Sequence, residues 1–119
     1  MKKISIEPNI ELNVKPKDNL TMREINKKLP LESEVMTWGD EIYFDTGISA
    51  PFAGATLNVN VGDIAYWPEG KCLCIFFGPT PASRLDKPVP ASEVVIMATA
   101  ELDPDQLRTV KSGTKIMVE

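Results

Sequence analysis

Both tryptophans and both tyrosines of this 119-residue chain, Trp38, Tyr43, Tyr66 and Trp67, fall in two short segments, WGDEIYF (38–44) and DIAYW (63–67). Side chains of this kind join an apolar body to one polar tip, which suits a place that is dry at one end and meets water or a ligand at the other. Two arrangements satisfy them: a packed core with tips bonded at its rim, or the wall of a pocket. Glu41 sits among them, between Asp40 and Ile42. Pointing into water, it is an ordinary strand carboxylate. Pointing into the aromatic group, it needs a donor and would hold an amine, amide or guanidinium well. With Phe77 of the neighbouring Phe-Phe pair, the candidate ligand-binding set is Trp38, Glu41, Tyr43, Tyr66, Trp67 and Phe77.

Other chemistries are excluded by residue type. The chain contains no histidine, so Ser-His and Cys-His nucleophilic catalysis have no base within it. Cys72 and Cys74 lie two apart, where a strand points both to one face at a spacing too tight for an ordinary structural disulfide. They read as free, buried thiols acting as small apolar side chains. A zinc site of two thiolates completed by imidazole cannot form, so no metal and no cofactor are expected.

Charge is distributed unevenly around a net value of −4. Residues 29–70 hold seven acidic side chains and no basic ones: Glu32, Glu34, Asp40, Glu41, Asp45, Asp63 and Glu69. A surface built from these repels phosphate and accepts cations, which predicts no nucleic-acid partner. The plainer role of any one of them is solubility. The amino terminus, MKKISIEPNIEL, lacks the apolar run of a signal peptide or membrane span, and the default expectation is a cytoplasmic protein without a membrane partner.

These residues must be positioned by a mainly β scaffold, expected to be one domain over 1–119. KISIE and IELNV alternate around a Pro8-Asn9 turn signal and predict an opening hairpin. TMREINKKLP carries Thr21 and Glu24 at capping-box spacing, apolar residues at helical intervals and Pro30 as a stop, predicting a short helix. VMTW and DEIYF predict strand with a bulge or bend at Gly39. TLNVNV and DIAYW alternate as strands, PEG supplies a turn, and KCLCIFF is apolar on both faces, as a strand covered on both sides must be. A proline-rich irregular stretch follows over 78–92, then strand EVVIMATAEL. Asp103 and Pro104 begin a second short helix, and TKIMVE closes as strand. The pattern predicts a closed or nearly closed antiparallel β-barrel of about eight strands with two short helices at its ends.

This order of elements resembles the cyclophilin barrel. More narrowly, WGDEIYF (38–44), GDIAYWPEGKCLCIFFGPTP (62–81) and PASEV (90–94) resemble a family of short prokaryotic cyclophilin-like proteins without an established activity. Gly62 to Ala65 and Phe76-Phe77 look like the two strands that bracket the pocket loop in cyclophilins proper. That resemblance implies prolyl cis/trans isomerisation, which cyclophilins perform with an arginine on a central strand, a histidine and a glycine-asparagine-rich loop beside a proline pocket. Here no arginine or lysine occurs from Leu29 to Gly70, histidine is missing, and the loop has shrunk to Pro68-Glu69-Gly70. A fold can be inherited without its site. Isomerisation needs no covalent step, only a pocket that favours the twisted amide over a barrier of roughly 20 kcal/mol. Trp38, Tyr43, Tyr66 or Trp67 would then have to replace arginine as the donor, more weakly. The sequence therefore favours a non-catalytic module for a peptide or a small neutral or cationic ligand. A weak peptidyl-prolyl isomerase on the same surface is the alternative, and a subunit contact through the proline-rich 78–90 segment is a third.

Overall fold

A computed structural model describes residues 1–119. Nine strands form one antiparallel sheet: β1 (Lys3–Ile6), β2 (Ile10–Pro16), β3 (Leu31–Glu34), β4 (Met36–Thr37), β5 (Glu41–Asp45), β6 (Asp63–Trp67), β7 (Cys72–Phe76), β8 (Val95–Ala100) and β9 (Lys115–Val118). Their order is β3-β9-β1-β2-β8-β6-β7-β5-β4. The edge strands β3 and β4 are consecutive in the chain. Ser33 Oγ of β3 donates to the Asp45 carbonyl of β5 at 2.9 Å, so the sheet curls into a nearly closed barrel. No helix is long and apolar enough to cross a membrane.

Strand alternation fills the barrel. Ile4 and Ile6 of β1, Ile42 and Phe44 of β5, Ile64 and Tyr66 of β6, and Leu73 and Ile75 of β7 share one core of fully buried side chains. Met22 and Ile25 of α1 (Leu20–Asn26) and Leu107 of α2 (Pro104–Leu107) belong to the same core. On the opposite face of β5, β6, β7 and β8 lies a second, smaller cluster of Val59, Ala65, Cys74, Phe76 and Val94. All five residues of β7 are buried, as a strand apolar on both faces requires.

Four details differ from the sequence reading. The helix α1 is capped by Asn19, whose side chain accepts from Met22 N–H at 2.8 Å; Thr21 lies inside the first turn, buried, and donates its hydroxyl to the Pro51 carbonyl. Gly39 is not a bend within a strand but the first residue of a two-residue hairpin loop, with φ +58°. Trp38 and Glu41 close that loop by exchanging backbone hydrogen bonds of 2.9 and 3.2 Å, a position that glycine fills because it accepts positive φ. Residues 57–61 are irregular rather than strand, and Thr56 forms only an isolated bridge with Val94. The cause is local: Thr56 Oγ1 accepts from Asn58 N–H and Asp63 Oδ2 from Asn60 N–H, bonds that compete with a sheet ladder. Finally, β3 adds a strand that LESE, with its two glutamates and single large apolar residue, scarcely signals.

The acidic surface is also smaller than its seven carboxylates suggest. Glu41 and Asp63 are buried, and Asp40 is half-buried against Arg108, whose Nη2 lies 3.0 Å from its Oδ2.

Candidate functional site

The hairpin Trp38–Glu41 projects Trp38, Glu41 and Tyr43 to the outer face of the barrel, because alternation along β5 sends Ile42 and Phe44 inward. Across the ladder, Tyr43 pairs with Cys74 of β7, which pairs in turn with Ala65 of β6. Trp67 closes the far side. The chain returns over this face after the proline-rich segment, so that Pro90, Ala91 and Val94 form the remaining wall. The result is a pocket of about 230 Å3 lined by Trp38, Glu41, Tyr43, Trp67, Cys74, Pro90, Ala91 and Val94.

Trp67 is held in one orientation. Its indole N–H donates to Ser92 Oγ at 2.6 Å, and Ser92 Oγ donates to Glu69 Oε2 at 2.6 Å. This relay ties the 90–94 segment to the β6–β7 turn. The turn also accepts the ring itself: a Cβ on Gly70 would lie 2.4 Å from Cζ3 of Trp67, so the indole rests on bare backbone. Tyr43 and Trp67 meet at 87° with ring centroids 6.4 Å apart, an edge-to-face geometry that aromatic quadrupoles favour.

The overlying segment is folded. Thr80 is buried, accepts the Ala82 N–H, and donates its hydroxyl to the Val89 carbonyl at 2.5 Å; Ser83 Oγ accepts from Thr80 N–H and donates to the Lys87 carbonyl. The hydroxyls thus stabilise the turns of the proline-rich chain.

Glu41 is the chemical centre of the pocket. It is 6% exposed, and its Oε1 is the one buried side-chain nitrogen or oxygen in the molecule without a hydrogen-bond partner. Burial pushes its carboxyl from an ordinary value of 4.5 up to about 7, and the neighbouring Cys74 thiol offsets this in part. Burial and the charge of Glu41 in turn push Cys74 well above the usual thiol range. Burial, with Asp45 and Glu41, pushes Cys72 to about 11. Both cysteines are free and buried, so neither is a thiolate nucleophile at neutral pH. Nowhere do three or more Cys, Asp or Glu side chains converge as metal ligands.

Of the six residues singled out from sequence, four come together: Trp38, Glu41, Tyr43 and Trp67. Tyr66 and Phe77 do not. Both lie in the main core, 1% and 2% exposed, because alternation along β6 and through the end of β7 turns them inward. The Tyr66 hydroxyl is spent there, donating to the Ile48 carbonyl at 2.6 Å and accepting from Ala50 N–H at 3.2 Å. Sequence reasoning missed Cys74, Pro90, Ala91 and Val94. Cys74 was discoverable, since it shares its face with Cys72 and Phe76; the 90–94 wall depends on how an irregular segment folds back, which periodicity does not encode.

A second, larger groove of about 980 Å3 runs along the β1–β2 hairpin, β3 and β9. Its glutamates, Glu7, Glu11, Glu32 and Glu34, are all exposed to water, so it lacks the buried, unpartnered group that distinguishes the smaller pocket.

The solution structure of a hypothetical protein from Archaeoglobus fulgidus superimposes with a TM-score of 0.82 at 36% sequence identity, covering 98% of this chain and 91% of that one. No curated protein matches the chain. The Cyclophilin-like family model matches residues 2–119, and the chain belongs to the cyclophilin-like family.

Proposed function

We propose that this protein is a non-catalytic binding module that takes a small molecule, or one side chain of a peptide, into the pocket between Trp38, Tyr43, Trp67 and the 90–94 segment. One observation carries this reading: Glu41 Oε1 is buried in an aromatic pocket with nothing to bond. Leaving a buried polar group unpaired costs about 1–3 kcal/mol, and native proteins hold few such groups outside functional sites. A ligand that donates a hydrogen bond to Glu41 removes that cost. The pocket is smaller than the roughly 300–1,000 Å3 that drug-sized ligands occupy, which suits a compact headgroup or a single side chain. Its one ionisable acid is negative when charged, so nucleic acid is not among the ligands proposed.

Isomerase chemistry is the weaker reading. Of the four donors available to replace an arginine, Tyr66 is engaged inside the core and Trp67 with Ser92. Trp38 and Tyr43 remain, and a neutral donor is roughly half as strong as a charged one. No arginine lines the pocket; Arg108 is bound to Asp40 and Asp105, and Arg23 to Asp18.

The test is an amide-resolved NMR titration with a panel of small amines, amides and short peptides, paired with a cis/trans exchange assay on a proline tetrapeptide. Saturable shifts confined to residues 38–43, 65–74 and 90–94, without faster exchange, support the binding module. Silence across the panel overturns it. Acceleration that disappears in Trp38→Phe or Tyr43→Phe replaces it with the isomerase.

A further inference from the structure

Resting on the reading of this site as a binding pocket, we infer that its occupant presents an alkylammonium group, as a free small amine or a lysine side chain of a peptide, with nitrogen at Glu41 Oε1 and alkyl carbons against Trp38, Tyr43 and Trp67.

The argument begins with charge. Glu41 is the one acidic side chain in the pocket, and no lysine or arginine lines it. No cation from the surrounding sequence is at hand either, because residues 29–70 contain none. The guanidinium attached to the same hairpin, Arg108, is turned to Asp40 and Asp105 instead. An anion entering this site would meet a carboxyl and no counter-charge, whereas a cation supplies both the hydrogen and the charge that Glu41 lacks.

The walls select in the same direction. Tyr43 and Trp67, set at right angles, both line the pocket, and aromatic rings attract ammonium groups. An amide would bring a carbonyl that also needs a donor. On the β6 side the Trp67 N–H is committed to Ser92, which leaves only the Trp38 N–H and the Tyr43 hydroxyl to serve it, whereas an ammonium group needs no donor. The remaining wall, Pro90, Ala91 and Val94, offers apolar side chains, which suit methylene or methyl groups. A volume of about 230 Å3 admits a headgroup of a few heavy atoms.

The titratable groups facing Glu41 are few. Cys74 of β7 lies beside it, Cys72 lies one alternation further along the same face, and Tyr43 is the neighbour on β5. The 90–94 segment contributes none to the pocket, and Glu93 is exposed. An ammonium ion stabilises the ionised form of Glu41 and so expels its proton on binding. With Glu41 at about 7 in the empty pocket, affinity rises with pH up to that value and then levels off. Alkylamines stay charged throughout this range.

The experiment is a calorimetric titration of the full chain at pH 6 and pH 8 with n-butylammonium, with Nα-acetyl-lysine methylamide, and with butyramide as the uncharged comparison. At least one ammonium compound is expected to bind about tenfold more tightly at pH 8 than at pH 6, and more tightly than butyramide at pH 8. In Glu41→Gln that pH dependence vanishes and affinity at pH 8 falls at least about tenfold. Binding of both ammonium compounds points to the free amine or headgroup; binding of the lysine derivative alone points to a peptide. Butyramide binding as tightly as the amines, or an affinity that is flat or falls with pH, overturns the cation while leaving the pocket a binding site. If none of the three binds, the inference fails, and the NMR panel decides whether the binding module fails with it. The wild-type comparisons stand even if Glu41→Gln does not fold.

Discussion

Strands β5, β7 and β6 carry opposite solutions to the same problem on their two faces. Inside the barrel, the polar tip is the Tyr66 hydroxyl, and it both donates, to Ile48, and accepts, from Ala50. Around it Ile42, Phe44, Ile64, Leu73 and Ile75 are wholly buried. Outside, the polar tip is Glu41, nearly as deeply buried but with one oxygen unbonded. Its surroundings are half-buried aromatic rings and a returning loop rather than a packed core. The contrast separates what a fold requires from what it tolerates. A core polar group is satisfied by the chain itself, whereas the unsatisfied oxygen of Glu41 is a local cost that the rest of the scaffold must be stable enough to bear.

Mutations and pH separate the faces, the inner one giving the largest effect. Phe44→Ala removes a fully buried ring and is expected to cost about 3–5 kcal/mol of unfolding free energy, read by chemical denaturation. A loss below about 1 kcal/mol would mean that the barrel interior is looser than described.

The outer face is expressed through pH. The folded protein keeps the Glu41 proton to about pH 7, while the unfolded chain releases it near 4.5. Between these values the folded state binds more protons, so the contribution of Glu41 to stability falls as pH rises. At about 1.4 kcal/mol per pH unit the fall reaches at most about 3–4 kcal/mol. Glu41→Gln should therefore gain stability relative to the parent between pH 4.5 and 7 and hold a constant difference above. Parallel pH profiles for the two proteins would contradict the burial of this carboxyl.

The finest comparison pairs two tyrosines. Tyr66→Phe leaves a buried carbonyl and a buried N–H unpaired and should cost about 1–3 kcal/mol. Tyr43→Phe, on the outer face, should change stability by less than about 0.5 kcal/mol. Equal losses in thermal denaturation would erase the distinction between the two faces.

How far the sequence reveals this follows from which forces act locally. The opening hairpin, the second helix capped by Asp103, and the two-sided strand at 72–76 are readable because turn chemistry, capping and alternation each act within a few residues. The nearly closed barrel follows from their order. Residue type puts Trp38, Glu41, Tyr43 and Trp67 in the candidate set, but it puts Tyr66 and Phe77 there on the same grounds. Alternation puts Tyr66 on the face opposite Trp67, but which of the two faces is the barrel interior is set by the long-range pairing of β6 with β7 and β8, not by anything local. Nor is the pocket's fourth wall readable, because Pro90 and Ala91 arrive by a long irregular segment whose path is set by Thr80, Ser83 and the Ser92 relay. A hairpin at Gly39 was written in the sequence as a glycine between two aromatic segments, yet bend and turn share that signal.

The most direct measurement is the titration of the Glu41 side-chain carboxyl, followed by carbon-detected NMR in the ligand-free protein. A midpoint at about pH 7 is predicted for a carboxyl buried without a full set of partners. A midpoint near the ordinary value of 4.5 would show the group solvated or paired, and the account of this pocket as a site awaiting a ligand would be wrong.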